Sequence, residues 1–356
     1  MRILVTGGAG FIGSHYVRTL LAGGYPGFEQ AEVTVLDKLT YAGNLANLKP
    51  AEGSPRLRLS RGDICDPALV ASLVPGHDVV LNFAAETHVD RSIAGAAEFV
   101  TTNVNGVQTL LQACLEAGVP RVIQVSTDEV YGSIASGSWA ENAPLEPNSP
   151  YSAAKAGGDL IARAYARTYG LNVSITRCCN NYGPFQYPEK VIPLFVTNLL
   201  DGQRVPLYGD GGNVRSWVHV DDHCRGIQLV LERGVAGGVY HIDGDTEVSN
   251  RALTETILSL CGAGWDMVSP VADRKGHDRR YSLDDSLLRS MGYAPRIPFG
   301  DGLKSTIRWY EDNRSWWEPL KKAQGGHPPQ AGGTGQTGQA RPGGLRPGGL
   351  RPGEAG

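Results

Sequence analysis

Three regularly spaced glycines near the start of the chain most constrain its fold. Gly7, Gly10 and Gly13 stand in the run Thr-Gly-Gly-Ala-Gly-Phe-Ile-Gly. The short apolar run Ile3–Val5 precedes them, and Phe11–Ala22, whose apolar residues have helical spacing, follows. Glycines in a strand-to-helix turn let the backbone approach a ligand closely, and the helix N-terminus offers free N–H groups to phosphates. The motif therefore predicts a dinucleotide-binding strand–helix unit.

Strand and helix patterns alternate through the first half of the chain. Short apolar runs that predict strands are Ile3–Val5, Val33–Leu36, Leu57–Leu59, Val79–Phe83, Val122–Ser126 and Val173–Thr176. Helical spacing covers Phe11–Ala22, Glu98–Ala117 and Tyr151–Tyr169. Alternation of this kind requires parallel strands joined by crossover helices. We predict an α/β fold with a doubly wound, Rossmann-like parallel sheet.

The second half is less regular and predicts a smaller, discontinuous α/β substrate domain. Asp221–Glu232 has a helical pattern and Val239–Ile242 an extended one, which indicates a return to the sheet. Asn250–Cys261 and Gly302–Asn313 are predicted surface helices. The predicted cofactor domain covers residues 1–178 plus about 219–245, and the substrate domain about 179–218 plus 246–322. Residues 323–356, rich in Gly and Pro, are predicted to be a disordered tail.

Composition limits the partners that the chain can have. With 33 basic and 36 acidic residues the formal net charge is −3, so we expect neither nucleic acid nor an anionic membrane as a partner. The six cysteines form no Cys-x-x-Cys pair, and we predict scattered thiols and no metal site. No secretory signal or membrane-spanning run is evident, which predicts a cytoplasmic protein.

A carboxylate at the end of the second predicted strand indicates which dinucleotide is bound. Asp37 stands where it can accept hydrogen bonds from both ribose hydroxyls of an adenosine and repel a 2′-phosphate, which favours NAD over NADP. The adjacent cation Lys38 weakens this argument, because it could tolerate the phosphate. Asp63 and Ile64, after the third predicted strand, are expected beside the adenine.

Tyr151 and Lys155 are four residues apart at the predicted start of a helix, so their side chains share one face. A nearby ammonium favours the phenolate, and we expect Lys155 to lower the pKa of Tyr151 and fit it to take a proton from a substrate hydroxyl. Together with the Gly-rich turn, this pair makes the chain resemble the extended short-chain dehydrogenase/reductase family.

Asp128 and Glu129, at the end of the fifth predicted strand, separate subgroups of that family. Its epimerases usually carry small or hydroxylated residues at these two positions. One protonated and one ionised carboxyl group at a strand's carboxyl end can act as acid and base. The chain resembles the nucleotide-sugar 4,6-dehydratases of the family from Met1 to about Leu320. The matching segments are Thr6–Gly13, Asp37–Asn44, Ala84–Ser92, Ser126–Gly132, Tyr151–Lys155, Asn180–Lys190 and Asp273–Tyr281.

The resemblance implies NAD-dependent conversion of dTDP-glucose to dTDP-4-keto-6-deoxy-glucose and water. It implies that Tyr151 removes the proton of the 4-hydroxyl group, while Lys155 holds the tyrosine and the nicotinamide ribose. Thr127 positions the 4-hydroxyl group. Glu129 takes the proton from C5, and Asp128 protonates the departing 6-hydroxyl group.

The resemblance also implies two sets of binding residues. The cofactor set is Gly7, Gly10, Phe11, Ile12, Gly13, Asp37, Lys38, Leu39, Thr40, Asp63, Ile64, Phe83, Ala84, Ala85, Thr102, Tyr151, Lys155 and Asn181. The substrate set is Thr87, Thr127, Asn180, Glu189, Lys190, Val191, Pro206, Leu207, Tyr208, Arg215, Asn250, Arg274, His277 and Tyr281. Guanidinium groups suit a diphosphate through bidentate hydrogen bonds, and the segment 206–208 is the implied wall against thymine.

Two predicted helices carry apolar or small residues on more than one face. The residues are Leu110, Leu111, Cys114 and Leu115 on Glu98–Ala117, and Ala153, Ala156, Ile161 and Ala164 on Tyr151–Tyr169. The sheet uses one face of each helix, and the other suits pairing with a second subunit. The resemblance implies a homodimer built on a four-helix bundle.

Three other functions fit parts of the pattern. A nucleotide-sugar 4-epimerase would share the Gly-rich turn and the Tyr151–Lys155 pair but has no use for Asp128 and Glu129. A 4,6-dehydratase for a GDP- or UDP-sugar would need a different wall around the base. A catalytically idle, cofactor-bound scaffold has no reason to keep both carboxyl groups and the tyrosine–lysine pair.

Overall fold

The computed structural model describes residues 1–324, so nearly all of the predicted tail at 323–356 lies outside the described residues. In chain order the strands are β1 (Arg2–Thr6), β2 (Glu32–Asp37), β3 (Leu57–Arg61), β4 (Val79–Asn82), β5 (Arg121–Thr127), β6 (Val173–Cys178), β7 (Asn180–Tyr182), β8 (Val205–Tyr208), β9 (Val214–His219), β10 (Val239–Ile242), β11 (Thr246–Ser249) and β12 (Val268–Val271).

Helices cover both faces of the main sheet and much of the second half. In chain order they are α1 (Phe11–Leu21), α2 (Pro67–Leu73), α3 (Val89–Ala94), α4 (Ala97–Val100), α5 (Val107–Glu116), α6 (Pro150–Tyr169), α7 (Val191–Leu200), α8 (Val220–Arg233), α9 (Asn250–Leu260), α10 (Ser286–Ser290), α11 (Phe299–Asp312) and α12 (Arg314–Gln324). Short 3₁₀ segments cover Leu45–Ala51, Asp128–Tyr131 and Trp265–Met267.

The main sheet has seven strands in the order β10-β6-β5-β4-β1-β2-β3, and every neighbouring pair is parallel. Strands β1, β4, β5 and β6 are almost entirely buried, because apolar clusters cover both faces of the sheet. This arrangement confirms the predicted doubly wound α/β fold. It also confirms the predicted return of the chain to the sheet, since Val239–Ile242 forms the strand beside β6.

Residues 98–117 differ from the single helix that the periodicity predicts. The segment is helical throughout, but Thr101–Gly106 forms a π-helical turn between α4 and α5. A π turn shifts the register of side chains around the helix axis. Leu110, Leu111 and Cys114, named among the apolar residues on more than one face of this helix, are at most 1% exposed and pack inside the chain. These three side chains belong to the core under the sheet and therefore give the predicted dimer no support.

The second half builds two small sheets around a separate apolar cluster. Strands β11, β9 and β7 form one sheet, and β12 pairs with β8 in the other. The cluster includes Tyr182, Trp217, Leu303, Tyr310 and Trp317, with α7, α9, α11 and α12 packed around it. Among the described residues, no helix is both long enough and apolar enough to cross a membrane.

Candidate active site

One cavity at the carboxyl ends of β1, β2, β4 and β5 brings together most of the predicted site residues. Its wall contains Gly7, Gly10, Phe11, Ile12, Gly13, Asp37, Lys38, Thr40, Asp63, Ile64, Phe83, Ala84, Ala85, Thr87, Thr102, Thr127, Asp128, Glu129, Tyr151, Lys155, Asn180, Asn181, Glu189, Lys190 and Val191. The predicted cofactor and catalytic residues therefore share one continuous space, where open α/β sheets bind ligands.

The Gly-rich turn leaves no room for side chains where a phosphate would approach. Gly7 has φ +67°, and a Cβ atom there would lie 2.6 Å from the Ala84 nitrogen. A Cβ atom on Gly13 would lie 2.4 Å from the Gly7 carbonyl oxygen. Gly10 caps α1 without a side-chain hydrogen bond, so the first N–H groups of the helix remain available to an anion. The turn fits the diphosphate of a dinucleotide.

Asp37 is held in place at the end of β2 by two backbone groups. Its carboxylate accepts hydrogen bonds from the N–H groups of Ala9, at 2.9 Å, and Leu39, at 2.8 Å. Burial raises the pKa of Asp37, and these two hydrogen bonds oppose the rise. Lys38 pairs with Asp63 at 2.8 Å, so part of its charge is balanced inside the site. The geometry keeps Asp37 as the acceptor for a ribose and favours NAD.

Tyr151 and Lys155 lie in the first two turns of α6, which a capping box at Ser149 and Ser152 begins. The Lys155 ammonium donates a hydrogen bond to the Val125 carbonyl oxygen at 2.7 Å. Burial, with the charge of Glu129, raises the pKa of Tyr151 well above its usual value. The pKa of Tyr151 in the protein alone is thus raised, opposite to the expected lowering by Lys155, because the side chain is buried and lies near Glu129 and Asp128.

The two adjacent carboxyl groups have different surroundings. Asp128 is 2% exposed, and its Oδ2 atom has no hydrogen-bond partner, while Oδ1 accepts one from Thr127 at 3.1 Å. Burial raises the pKa of Asp128 well above its usual value, and the charge of Glu129 adds to the rise. Burial also raises the pKa of Glu129, but the charges of Arg274, Arg215 and Lys190 oppose it. Asp128 is thus favoured as the protonated partner and Glu129 as the ionised one.

Glu189 joins the sugar side of the cavity to the first half of the chain. Its carboxylate accepts a hydrogen bond from the Tyr41 hydroxyl at 3.2 Å and lies 3.6 Å from both His88 Nε2 and Arg91 Nη2. The Arg91 guanidinium stacks over the Tyr41 ring at 3.7 Å. Next in the chain, Lys190 donates to the Thr87 carbonyl oxygen at 2.9 Å. These contacts position the two predicted substrate residues at 189 and 190.

Eight predicted substrate residues from the second half of the chain do not line this cavity. They are Pro206, Leu207, Tyr208, Arg215, Asn250, Arg274, His277 and Tyr281, and the predicted cofactor residue Leu39 likewise does not line the cavity. Leu39 has φ +57° and donates its N–H to Asp37. Asn250 begins α9, where its N–H donates to the Asn213 carbonyl oxygen. The segment 206–208 is strand β8.

Arg215 and Arg274 nevertheless bring positive charge to Glu129. Arg215 is 5% exposed, stacks over the Tyr281 ring at 4.2 Å and donates to the Asp278 carbonyl oxygen at 2.9 Å. Arg274 keeps a buried Nε atom without a hydrogen-bond partner and lies 3.8 Å from Asp90. His277 lies 2.6 Å from Asp273 and meets the Tyr208 ring edge-on, at 6.5 Å between ring centres. These side chains form a polar wall that adjoins the cavity.

Several wall residues are not evident in the sequence. Asn47 and Trp316 line the cavity although they lie outside every matching segment, and Phe185 and Tyr41 lie inside such segments without having been predicted as site residues. A positive φ of 68° at Phe185, which is rare for a residue with a side chain, marks a constrained turn there. Trp316 comes from α12, at the end of the described chain. No local sequence signal could have placed it beside Asn47.

Comparisons with known proteins agree with this geometry. The sequence profile of a family described as GDP-mannose 4,6 dehydratase matches residues 4–306. The dTDP-glucose 4,6-dehydratase of Streptomyces niveus is 61% identical over 322 residues, which are 90% of this chain and 96% of that protein. The chain belongs to the dTDP-glucose 4,6-dehydratase family. A second relative in this family, from Streptomyces antibioticus, is 60% identical over 94% of this chain and 100% of its own length.

Solved structures separate the dTDP-glucose 4,6-dehydratase family from its neighbours. DesIV, a dTDP-glucose 4,6-dehydratase from Streptomyces venezuelae with NAD and TYD bound, has a TM-score of 0.89 and 66% identity. The match covers 90% of this chain and 100% of that one. A UDP-glucose 4-epimerase from Thermus thermophilus in complex with NAD has a TM-score of 0.80 but 31% identity, over 88% of this chain and 100% of its own. The fold is common to both groups, whereas the sequence follows the dehydratases.

Proposed function

We propose that this protein converts dTDP-glucose to dTDP-4-keto-6-deoxy-glucose and water, with NAD as its cofactor. The observation that carries the proposal is the pair Asp128 and Glu129 in the cavity that also holds Tyr151 and the Gly-rich turn: burial raises the pKa of both carboxyl groups, carboxylates add to the rise at Asp128, and three cationic side chains oppose it at Glu129. An epimerase needs the tyrosine and the cofactor but no acid–base pair for elimination. A 4,6-dehydratase needs all of them.

The cofactor would be held by the Gly-rich turn, the N-terminus of α1, Asp37 and the wall around Asp63 and Ile64. When bound, NAD supplies a hydride acceptor for C4 of the sugar and later a hydride donor for C6. Gly7 and Gly13 let the backbone of the turn pack tightly, which places its N–H groups toward the diphosphate, and Asp37 would accept the ribose hydroxyls. The chain's own residues then need only orient the sugar and move its protons.

Tyr151 takes the proton from the 4-hydroxyl group as C4 becomes a ketone. The Thr127 side chain, hydrogen-bonded to Tyr151, opposes the rise in the tyrosine pKa and positions the same hydroxyl group. Lys155 lies one helical turn later on the same face and holds the tyrosine and the ribose. The new ketone acidifies the hydrogen on C5, which prepares the elimination.

The elimination divides between the two carboxyl groups. Glu129, held toward its ionised form by Arg274, Arg215 and Lys190, takes the proton from C5. Asp128, protonated because it is buried beside a like charge, gives its proton to the departing 6-hydroxyl group. Water leaves, and the carbon–carbon double bond between C5 and C6 is then reduced at C6 and protonated at C5. Glu129, after exchanging its proton with solvent, is the donor to C5 and so returns to its ionised form. The cycle then leaves one extra proton on Tyr151 and one missing from Asp128, and exchange with solvent restores both.

The nucleotide would lie along the polar wall formed by the second half of the chain. Arg215 and Arg274 would neutralise the diphosphate, and Arg274 has a buried Nε donor to offer. His277, Asn250 and Tyr281 complete the proposed phosphate and sugar contacts, and the segment 206–208 is the proposed wall against thymine. Glu189, Lys190 and Val191 would surround the sugar.

The deciding experiment is incubation of the purified protein with dTDP-glucose in heavy water, without added NAD. Mass spectrometry should show loss of one water, and proton NMR should show deuterium at C5. A product of unchanged mass with inverted C4 would instead establish an epimerase. If nothing changes even with added NAD and with GDP- and UDP-sugars, the protein is not this enzyme.

We further propose that the protein acts in the cytoplasm as a homodimer built on a four-helix bundle of two subunits. The six cysteines are free thiols, as expected in a reducing compartment. Leu160 and Tyr169 on α6 and Val100 on α4 are 53%, 57% and 47% exposed. The proposed cofactor domain, 1–178 plus about 219–245, and substrate domain, about 179–218 plus 246–322, would meet at the cavity.

A further inference from the structure

The indole of Trp316 closes the cavity from the far end of the described chain. Trp316 belongs to α12, is partly buried and lines the same wall as the Gly-rich turn. Its Nε1–H donates a hydrogen bond to the Asn47 side-chain oxygen at 3.0 Å, across 269 residues of sequence. This part-buried hydrogen bond between such distant segments holds α12 against the first half of the chain.

Asn47 passes this contact on to the turn that would hold the cofactor. It is 2% exposed, and its amide nitrogen donates to the Ala9 carbonyl oxygen at 2.9 Å. Ala9 lies between Gly7 and Gly10, and its own N–H donates to Asp37. Both ends of the Asn47 amide are therefore used, one toward Trp316 and the other toward the backbone that faces the diphosphate.

A second set of contacts ties the same helix to α1. The Phe185 ring packs 4.5 Å from the ring of Trp309 and 5.6 Å from that of Trp316, measured between centres. The Arg18 guanidinium lies 4.2 Å above the Phe185 ring and donates to the Ser14 hydroxyl at 3.0 Å. Ser14 and Arg18 both belong to α1, the helix whose N-terminus faces the cavity. Trp316 thus sits where two connections to the cofactor end of the molecule meet.

We propose that Trp316 is a cofactor-retaining residue: its indole closes the wall beside the Gly-rich turn and, through Asn47, holds the Ala9 carbonyl in place. The inference rests on the proposed function, in which NAD ends each cycle in the oxidised form with which it began. Release of the cofactor is therefore unnecessary for turnover. A wall residue that slows dissociation lets one bound molecule serve many cycles.

Trp316→Phe tests the inference because it removes the N–H donor and keeps an aromatic ring against Phe185. Trp317→Phe is the matched control. That neighbouring indole is fully buried, donates to the Tyr310 carbonyl oxygen at 2.7 Å and does not line the cavity.

Each variant is loaded with NAD, freed of excess by gel filtration and sampled over time, and the retained NAD is extracted and measured by chromatography. Loss of one part-buried hydrogen bond predicts NAD release about tenfold faster in Trp316→Phe. Trp317→Phe should lower the melting temperature and leave the release rate unchanged.

Asn47→Ala, alone and combined with Trp316→Phe, tests the relay. Each single substitution multiplies the rate of NAD release by some factor. If Trp316 acts through Asn47, the factor measured for the double variant is smaller than the product of the two single factors. Multiplicative effects would refute the relay. Equal release from Trp316→Phe and the parent, or equally fast release from both tryptophan variants, would refute the specific retaining role. If the parent itself binds no NAD in a direct titration, the proposed function fails instead, so the two failures are distinguishable.

Discussion

The Lys155 ammonium donates its hydrogen bond to the backbone carbonyl of Val125, 2.7 Å away, from a position one helical turn beyond Tyr151. Val125 is in β5, two residues before Thr127, so this contact joins α6 to the strand that carries the catalytic turn. Burial lowers the pKa of Lys155, and the charge of Asp159 opposes the change. The ammonium therefore positions the tyrosine's helix as well as adding charge beside it.

Replacing Lys155 with methionine should slow turnover and move its pH dependence. Without the ammonium, the pKa of Tyr151 rises further. The increase of kcat with pH that reflects ionisation of the tyrosine should therefore occur at higher pH. We expect kcat to fall about 10²-fold or more, the scale of general acid–base catalysis. The measurement is kcat against pH. Lys304→Met, on the exposed side of α11, is the control and should match the parent.

Glu129→Gln should separate oxidation at C4 from elimination. The amide cannot accept the C5 proton, while Tyr151, Lys155 and the cofactor turn remain intact. The near-ultraviolet absorbance of NADH should therefore build up after dTDP-glucose is added, and water loss should slow by about 10²- to 10⁴-fold. Glu146→Gln, in the loop before α6, is the control. Turnover of Glu129→Gln at the parent's rate would show that another group is the base.

Asp128→Asn should make the protein more stable than the parent, by a margin that grows as the pH rises. The same substitution should slow loss of the 6-hydroxyl group. The pKa of Asp128 in the folded protein is raised. At a pH above the ordinary pKa of an aspartate, the side chain therefore loses its proton in the unfolded chain but keeps it in the folded protein. The free energy of unfolding consequently falls as the pH rises. The variant escapes this loss, and its melting temperature should exceed that of the parent by about 2–4 °C or more at pH 8, with a smaller difference at pH 5.

Asp210→Asn is the control for this measurement. Asp210 is exposed and paired with Arg279 at 2.8 Å, and this pairing lowers its pKa to about 2. Its replacement should give no gain at pH 8. An Asp128→Asn variant that melts at the parent's temperature across this range would contradict the protonated state that we assign to the acid.

Gly7→Ala should abolish NAD binding, because the new methyl group would lie 2.6 Å from the Ala84 nitrogen, inside the cradle. Gly23→Ala separates this contact from backbone strain, since Gly23 has a similar φ of +78° but open space around it. The control should cost about 1–2 kcal/mol of stability from the left-handed backbone and keep its affinity for NAD. Calorimetric titration with NAD gives both affinities. Comparable losses in the two variants would assign the effect to strain.

Leu160→Glu should divide the proposed homodimer. The side chain is 53% exposed on α6 within one chain, and a carboxylate there would be buried without a partner in a helix bundle between subunits. Light scattering should give twice the chain mass for the parent and the chain mass for the variant. Val235→Glu, at a residue that is 64% exposed in the loop after α8, should remain a dimer. A monomeric parent at micromolar concentration would refute the dimer.

The pattern of apolar residues was sufficient to predict the main sheet. Its central parallel strands are buried on both faces and therefore stand in the sequence as short continuous apolar runs. The pattern was insufficient where structure depends on distant contacts. Strand β7 has only three residues, two of them partly exposed, and pairs with β9 more than thirty positions later. Helix α12 contains Pro319, which argues against a helix in the sequence. Packing of Trp317 into the second apolar cluster overrides that preference.

The candidate site was predictable to the extent that its residues stand in motifs. Spacing places Tyr151 and Lys155 on one helix face, but it cannot show that the ammonium is engaged by Val125 or that burial dominates the tyrosine. The predicted phosphate contact of Arg215 gave no sign that its guanidinium would stack on the Tyr281 ring, as it does at 4.2 Å. These outcomes depend on three-dimensional neighbours, which one sequence does not specify.

The separation of 269 positions between Asn47 and Trp316 also sets an order of events during synthesis. The Gly-rich turn and its strand leave the ribosome early and can begin to fold while the rest of the chain is made. The indole that closes the wall arrives only after every strand of the main sheet has been translated. A nascent chain that lacks Trp316 would therefore bind the dinucleotide and lose it again. Lasting occupation of the site begins only when translation has passed α12.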